Sequence, residues 1–349
     1  MSSKNLHPYS NHPDYCFWSR AVAAVQHGSL CPVVSTKFKI SPQEKVITLG
    51  SCFSQNLSRF LTSAGFNYFV TEKAPTKLSL EQGHIKQYGI FSARYGNVYT
   101  IRQALQLLGR AFEIIPTPDD IWMLNKKFVD PFRPSVEPEG FLSREDLMTD
   151  RKAHMLKTRE AFEGADVLVL TLGLSESWLS RVTGFVYPLA PGVHGGEFNP
   201  DLHIFYNFNV MEVTEDLASF CSQLKQFNPK IKIILSVSPV HIAATYEDTH
   251  VLTASVYSKS LLRVACENIR RSLDYVDYFP GYELLVGPHH AGRYLELDLR
   301  HVNELGLDRV MSVFTKSFLE GASSVLEAPL ESALPLDSEI ICDEDKLNL

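Results

Sequence analysis

A hydroxyl and a thiol stand side by side where a strand pattern turns into a helix pattern. They are Ser51 and Cys52, within KVITLGSCFSQNLSRFL at residues 45–61. Val46, Ile47 and Leu49 make a short apolar run closed by Gly50, the pattern of a buried strand. Phe53, Leu57, Phe60 and Leu61 then recur at helical spacing. Gly50 lets the backbone turn sharply between the two. Ser51 and Cys52 are therefore expected at a helix N-terminus, where free N–H groups and the helix dipole favour negative charge. A thiol held there ionises more readily than a free one, which makes Cys52 a candidate nucleophile. The same two residues also fit a plainer arrangement, with Ser51 capping the helix and Cys52 packed as a structural thiol.

A nucleophile needs a base within hydrogen-bond reach, and an imidazole serves best when a carboxylate fixes its tautomer. Asp298-Leu299-Arg300-His301 places such a pair three residues apart, just before the last helical pattern. The expected constellation is Cys52, or Ser51, with His301 as base and Asp298 behind it. His241, following Pro239 at a strand end, is a second candidate base. Glu176 is either a carboxylate poised for acid–base work or a partner of Arg94 or Arg181. His289-His290 has the residue type of a metal ligand, but adjacent side chains diverge and no zinc set is completed, so no metal is expected. Tyr257, Lys259 and Arg263 fit a solvated helix face with one packed tyrosine. Trp178 and Phe279 fit the core better than a substrate platform.

Strand-like runs alternate with helical patterns along the chain that must position these groups. Strands are expected at residues 45–49, near 66–70, and in ADVLVLTLG, KIILSVS and YVDYF, with helices between them and a last one at about 301–319. The expected fold is α/β: a three-layer α/β/α, doubly wound, five-stranded parallel sheet of order 2-1-3-4-5. Ligands of such sheets bind beyond the carboxyl ends of the strands. Cys52, Ser175, residues 238–241 and Tyr282 all follow strand ends and should share one rim. Residues 1–44 are expected to form an arm packed on the body through its aromatics, with a short helix at 19–26. The α/β domain spans 45–319, with a Pro-rich, acidic excursion at 116–145, and 320–349 should be a loose acidic tail.

The 349 residues are 45% hydrophobic and 21% charged, ordinary globular composition, long enough for one large domain or two small ones. A net charge of −7 sets nucleic acid aside as a main partner. No G-x-G-x-x-G follows a strand and no P-loop is present, so nucleotide-cofactor readings start weak. The six cysteines are scattered without a C-x-x-C pair, which suits free thiols in a reducing compartment. The N-terminus lacks an apolar signal core, and no run approaches the ~18 apolar residues that span a bilayer, so a cytoplasmic protein without a membrane span is expected. Oligomeric state leaves no signature in the pattern.

LGSCF after a strand, followed in order by TLGLSESW, LSVSPV, YSKSLLR, YFPGYE and DLRHV, resembles the GSCFA family over about residues 45–315. The family motif G-S-C-F-A departs here at its last letter, Ser54. That family is distantly similar to the SGNH, or GDSL-type, hydrolases, and the resemblance implies their three-layer fold and their esterase or acyltransferase chemistry. Laid without a gap on G-D-S, the nucleophile position falls on Cys52 and the Asp position on Ser51. The oxyanion-hole Gly and the G-x-N-D Asn correspond to the segment Gly173-Leu174-Ser175-Glu176, where the Asn is missing. Ser175 or Asn97 could stand in for it, beside Gly50 and the backbone N–H of Cys52. The resemblance implies an O-acyltransferase or acyl esterase acting on a hydroxylated, carbohydrate-like small molecule. No cofactor is expected to be tightly bound, and an acyl-CoA or another acyl thioester is a possible donor. A non-catalytic carbohydrate or small-molecule binder on a decayed SGNH fold, or a scaffold in a polysaccharide-biosynthesis complex, are the alternatives.

Overall fold

The computed structural model describes residues 7–26, 28–321 and 342–348. In chain order the first half comprises β1 (Val46–Gly50), α1 (Phe53–Ser63), α2 (Leu80–Ile85), α3 (Ile101–Ala111), β2 (Trp122–Leu124), β3 (Lys127–Val129) and α4 (Arg144–Gly164). There follow β4 (Val167–Leu172), β5 (Glu176–Ser180), β6 (Val186–Tyr187), β7 (His203–Asn207) and α5 (Val210–Phe227). The last are β8 (Lys232–Val237), α6 (Val251–Ser272), β9 (Val276–Tyr278), α7 (Gly281–Val286) and α8 (Glu304–Phe318).

Four of the expected strands pair in parallel as β1-β4-β8-β9. Alternate side chains go to opposite faces, as strand geometry requires. Leu168, Leu170, Ile233 and Leu235 join a core with α3, α4, α5 and α6, whereas Val167, Val169 and Ile234 join one with α1, α7 and α8. Both faces are therefore covered, which is why β1, β4 and β8 are largely apolar runs.

The fifth strand does not form. Residues 66–69 pair with β1 through a single bridge between Val46 and Tyr68, beside a hydroxyl contact of Tyr68 with Thr48 (3.1 Å). Beyond it the chain leaves the sheet, because Thr71 bonds to the Ser92 carbonyl through its N–H (2.8 Å) and to that of Lys157 through its hydroxyl (2.7 Å). Unforeseen in the sequence is a small antiparallel sheet, β6-β5-β7, built from the loop after β4. The 116–145 excursion carries the β2-β3 hairpin. It is pinned to α4 by buried ion pairs, among them Asp130 with Arg151 (3.0 Å) and Arg133 with Asp150 (2.5 Å).

The arm packs differently from expectation. Tyr9, Tyr15 and Trp18 are more than half exposed, and Phe17 lies under Arg20 of the same segment. Leu30, Val33 and Phe38 make the contact with the core instead, and Ile40 bridges to Leu319. The helical turn there is short, Ser19–Ala23. Of the tail, residues 322–341 and 349 lie outside the described residues. Residues 342–348 are not loose: Cys342, Asp343 and Glu344 are buried against the carboxyl rim of the sheet. Among the described residues no helix is long and apolar enough to cross a membrane.

Candidate active site

The turn after β1 depends on Gly50. Its φ is +148°, and a Cβ there would lie 2.3 Å from the Thr171 carbonyl oxygen on β4. Cys52 follows as the residue entering α1, already helical at φ −50° and ψ −30°, and is 3% exposed. Ser51 does not cap the helix with its side chain. Its Oγ is buried without a hydrogen-bond partner among the described residues, and a Cβ on Gly173 would come within 3.1 Å of the Ser51 Cβ.

Asp298 and His301 form the expected pair. One Asp298 oxygen accepts from the backbone N–H groups of Arg300 (2.9 Å) and His301 (3.0 Å), closing an Asx-type turn across Leu299, whose φ is +56°. The other oxygen binds His301 Nδ1 at 2.5 Å. Burial works against an ionised Asp298, but these bonds outweigh it and hold the carboxyl at about 2. Burial also disfavours a charged His301, yet Asp298 and the nearby Asp345 tip the imidazole upward. Nδ1–H on Asp298 leaves Nε2 as the acceptor, and in this form it takes a bond from Arg300 Nη1 at 2.9 Å.

Between thiol and imidazole lies Cys342 of the C-terminal segment. The Cys52 thiol is hydrogen-bonded to Cys342; that bond together with burial pushes Cys52 well above its ordinary range, while the same bond, against burial, lowers Cys342. This overturns the expected thiolate at the helix N-terminus: burial and the neighbouring thiol outweigh the dipole of α1. Donor atoms of Cys342, His301 and Asp345 lie within 4.8 Å of one another. Such a trio has ligand chemistry for a metal, but the Arg300 guanidinium already reaches all three, Nη1 to His301 and to Asp345 (2.6 Å) and Nη2 to Cys342 (3.6 Å). The position of a cation among them is filled by the protein itself.

The other candidates divide. Asn97 reaches the site: its Nδ2 donates to an Asp343 carboxylate oxygen at 2.8 Å, with its Oδ1 held by Gln55 (3.1 Å). Gly173 is at the rim, but its N–H donates to the Tyr99 carbonyl (3.0 Å), so it is not a free oxyanion donor. The Ser175 hydroxyl donates to Asn207 (2.8 Å) and so does not replace the missing Asn. Glu176 accepts from Thr245 (2.7 Å) and the Tyr246 N–H, tying down that loop. Its supposed partners are engaged elsewhere, Arg94 in the buried ion cluster and Arg181 on the Pro200 carbonyl. His241 is bound to Ser255 (2.8 Å), and burial lowers it. Its contribution to the site is its carbonyl, which accepts from Arg300 Nε at 3.0 Å. Phe279 is core, packed on Phe314 and Phe318, whereas Trp178 lines an open groove with Phe198, Tyr206 and Tyr246.

Lys259 does not lie on a solvated face. It is 1% exposed, its Nζ donates to the Gly173 carbonyl at 2.7 Å, and burial lowers it to about 8. A signal was present, since Ser255, Ser258, Leu262 and Cys266 put position 259 inside the buried stripe of α6. Arg300, between the two chemical residues of its own motif, was also overlooked.

The GSCFA family model matches residues 45–314, most of the chain. The chain belongs to the GSCFA family. No curated protein matches it. Among solved structures, a carbohydrate esterase family 2 enzyme with its carbohydrate binding domain, from Corynascus thermopiles, aligns at 13% identity over 83% of this chain and 68% of its own, with a TM-score of 0.31. An acetyl xylan esterase from the rumen bacterium Butyrivibrio proteoclasticus aligns at 16% identity over 33% of this chain and 28% of its own, with a TM-score of 0.18. Likenesses this slight leave the chemistry of this GSCFA chain to its own residues.

Proposed function

We propose that this GSCFA protein is an acyl-transfer enzyme, an O-acyltransferase or acyl esterase, working through a covalent acyl group on Cys52. One observation carries the reading: a single atom, Cys342 Sγ, is hydrogen-bonded to Cys52 and lies within 4.8 Å of the His301 ring donor atom, so thiol and Asp-held imidazole flank one position. A substrate carbonyl in that position would be attacked by Cys52 Sγ while the thiol proton passes to His301 Nε2. Asp298 would hold the imidazolium by its Nδ1–H. Asn97 Nδ2, which here donates to a carboxylate oxygen, and the Cys52 backbone N–H are the candidate oxyanion donors. Collapse expels the alcohol or thiol, and a second hydroxyl or water then takes the acyl group. An acyl thioester such as acyl-CoA suits a thiol acceptor. The groove of about 560 Å³ lined by Trp178, Tyr206, Tyr246, Asn207 and Glu247 offers aromatic faces and polar edges to a carbohydrate-like acceptor.

A non-catalytic binding role is favoured by a different observation, the engagement of the Gly173 N–H and Ser175 hydroxyl by other protein groups. The two readings separate on incubation with an acyl thioester, read by intact mass and turnover. Acyl transfer predicts an adduct on Cys52 that accumulates in His301→Ala, and a loss on the order of 10³-fold in Cys52→Ala. Unchanged turnover in Cys52→Ala with a dead Ser51→Ala would make it a serine enzyme, and no adduct with no turnover in any variant would favour the binder.

A further inference from the structure

Arg300 is nearly buried, and both of the carboxylates it pairs with belong to the C-terminal segment: Glu344 at 3.2 Å and Asp345 at 2.6 Å. Its remaining contacts are the His241 carbonyl, His301 Nε2 and the Cys342 sulfur. Fully buried Lys259 faces the same Glu344 and otherwise bonds a carbonyl oxygen. Glu344 is itself buried, and its two oxygens are taken separately, Oε2 by Arg300 Nη2 and Oε1 by the Ala243 backbone N–H at 3.4 Å. That is a two-point clamp shaped for a carboxylate, backed by a second cation and adjoining the Cys52 thiol. With residues 342–345 withdrawn, Arg300 and Lys259 would keep no carboxylate partner among the described residues. A largely buried pair of cations is stabilised best by a counter-charge, so the emptied cradle favours an anion over a neutral ligand.

We propose that Arg300, Lys259 and the Ala243 N–H form a carboxylate-recognition subsite beside Cys52, filled in this form by Glu344 of the chain's own C-terminal segment. The external ligand is then a small molecule carrying a carboxylate close to its reacting carbonyl, a dicarboxylic acyl group or a uronic-acid-type acceptor. The segment covers the rim in its place, with Cys342 on the thiol, Asp343 on Asn97, Glu344 in the clamp and Asp345 by His301. Assigning that carboxylate to the substrate rests on the acyl-transfer reading of Cys52, whereas the subsite itself does not.

The test compares two alkylating agents of similar size on the full-length chain, anionic iodoacetate and neutral iodoacetamide. Exposed Cys16 and Cys31 serve as internal references. In the wild type, Cys52 should react slowly with both. In Glu344→Gln/Asp345→Asn it should react faster, with iodoacetate preferred over iodoacetamide by about tenfold relative to the references, the scale of one close charge pair. Adding Arg300→Gln should abolish the preference. Single Glu344→Gln should show the same preference at smaller amplitude and serves if the double variant is unstable. Equal rates for the two reagents, or wild-type labelling as fast as in the variants, would overturn the proposal. Labelling is read without turnover, so loss of the acyl-transfer reading and loss of the subsite are separate outcomes.

Discussion

Replacing Lys259 by Met should change how stability depends on pH more than stability itself. The ammonium is 1% exposed, and burial takes it from its ordinary 10.5 to about 8. Between those two values the unfolded chain holds the proton and the folded chain does not, so stability of the wild type rises with pH across that window. Below pH 8 the folded state carries the whole cost of the buried charge, about 3 kcal/mol for this difference. From pH 7.5 to 9.5 the wild type should regain about 2 kcal/mol of it relative to Lys259→Met. At pH 7 the variant sheds the buried charge. It leaves the Gly173 carbonyl without its 2.7 Å donor, a loss of about 1–3 kcal/mol, and Glu344 with Arg300 as its remaining cation, so the net change is small. Urea unfolding of both proteins at several pH values reads the difference directly, and titrations common to the two cancel. Parallel stability curves from pH 7.5 to 9.5 would show that Lys259 is charged and solvated, and the reasoning about its burial would be wrong.

Gly50→Ala should cost at least about 3 kcal/mol, since its Cβ would sit 2.3 Å from the Thr171 oxygen at a backbone angle unfavourable to alanine. A urea midpoint within error of wild type would remove the argument for this turn. Brief treatment with hydrogen peroxide should join Cys52 to Cys342, each thiol losing its hydrogen as peroxide is reduced to two waters. Peptide mapping with and without dithiothreitol reads the link, and sulfinic acid on Cys342 with no cross-link would contradict the thiol contact.

The strand-to-helix turn at Gly50 and the Asp298-His301 pair were legible because each is local: an apolar run meeting a glycine, and an Asx turn written in four consecutive residues. Four sheet strands were legible because both faces are buried, which leaves β1, β4 and β8 rich in Val, Ile and Leu and β9 as a short Val-Asp-Tyr run before Phe279. Segment 66–69, with Phe66, Tyr68 and Phe69, carries aromatic strand formers, but whether it pairs depends on where Thr71 finds its partners, and those lie on Ser92 and Lys157. ESWLS and HIFYN hid because β5 and β7 are half exposed and mix polar with aromatic residues. Lys259 was missed by judging a charge by type rather than by its place in a buried stripe. The contact of Cys342 with Cys52 joins positions 290 residues apart and has no periodic trace at all.

The seated C-terminal segment also sets the terms on which any outside molecule meets this site. A tethered group competes at an effective concentration on the order of millimolar, whatever the protein concentration in the tube. A free ligand of equal intrinsic affinity must therefore be present at millimolar levels merely to share occupancy. Substrate screens run at micromolar concentrations would record an inert protein even if the chemistry were intact.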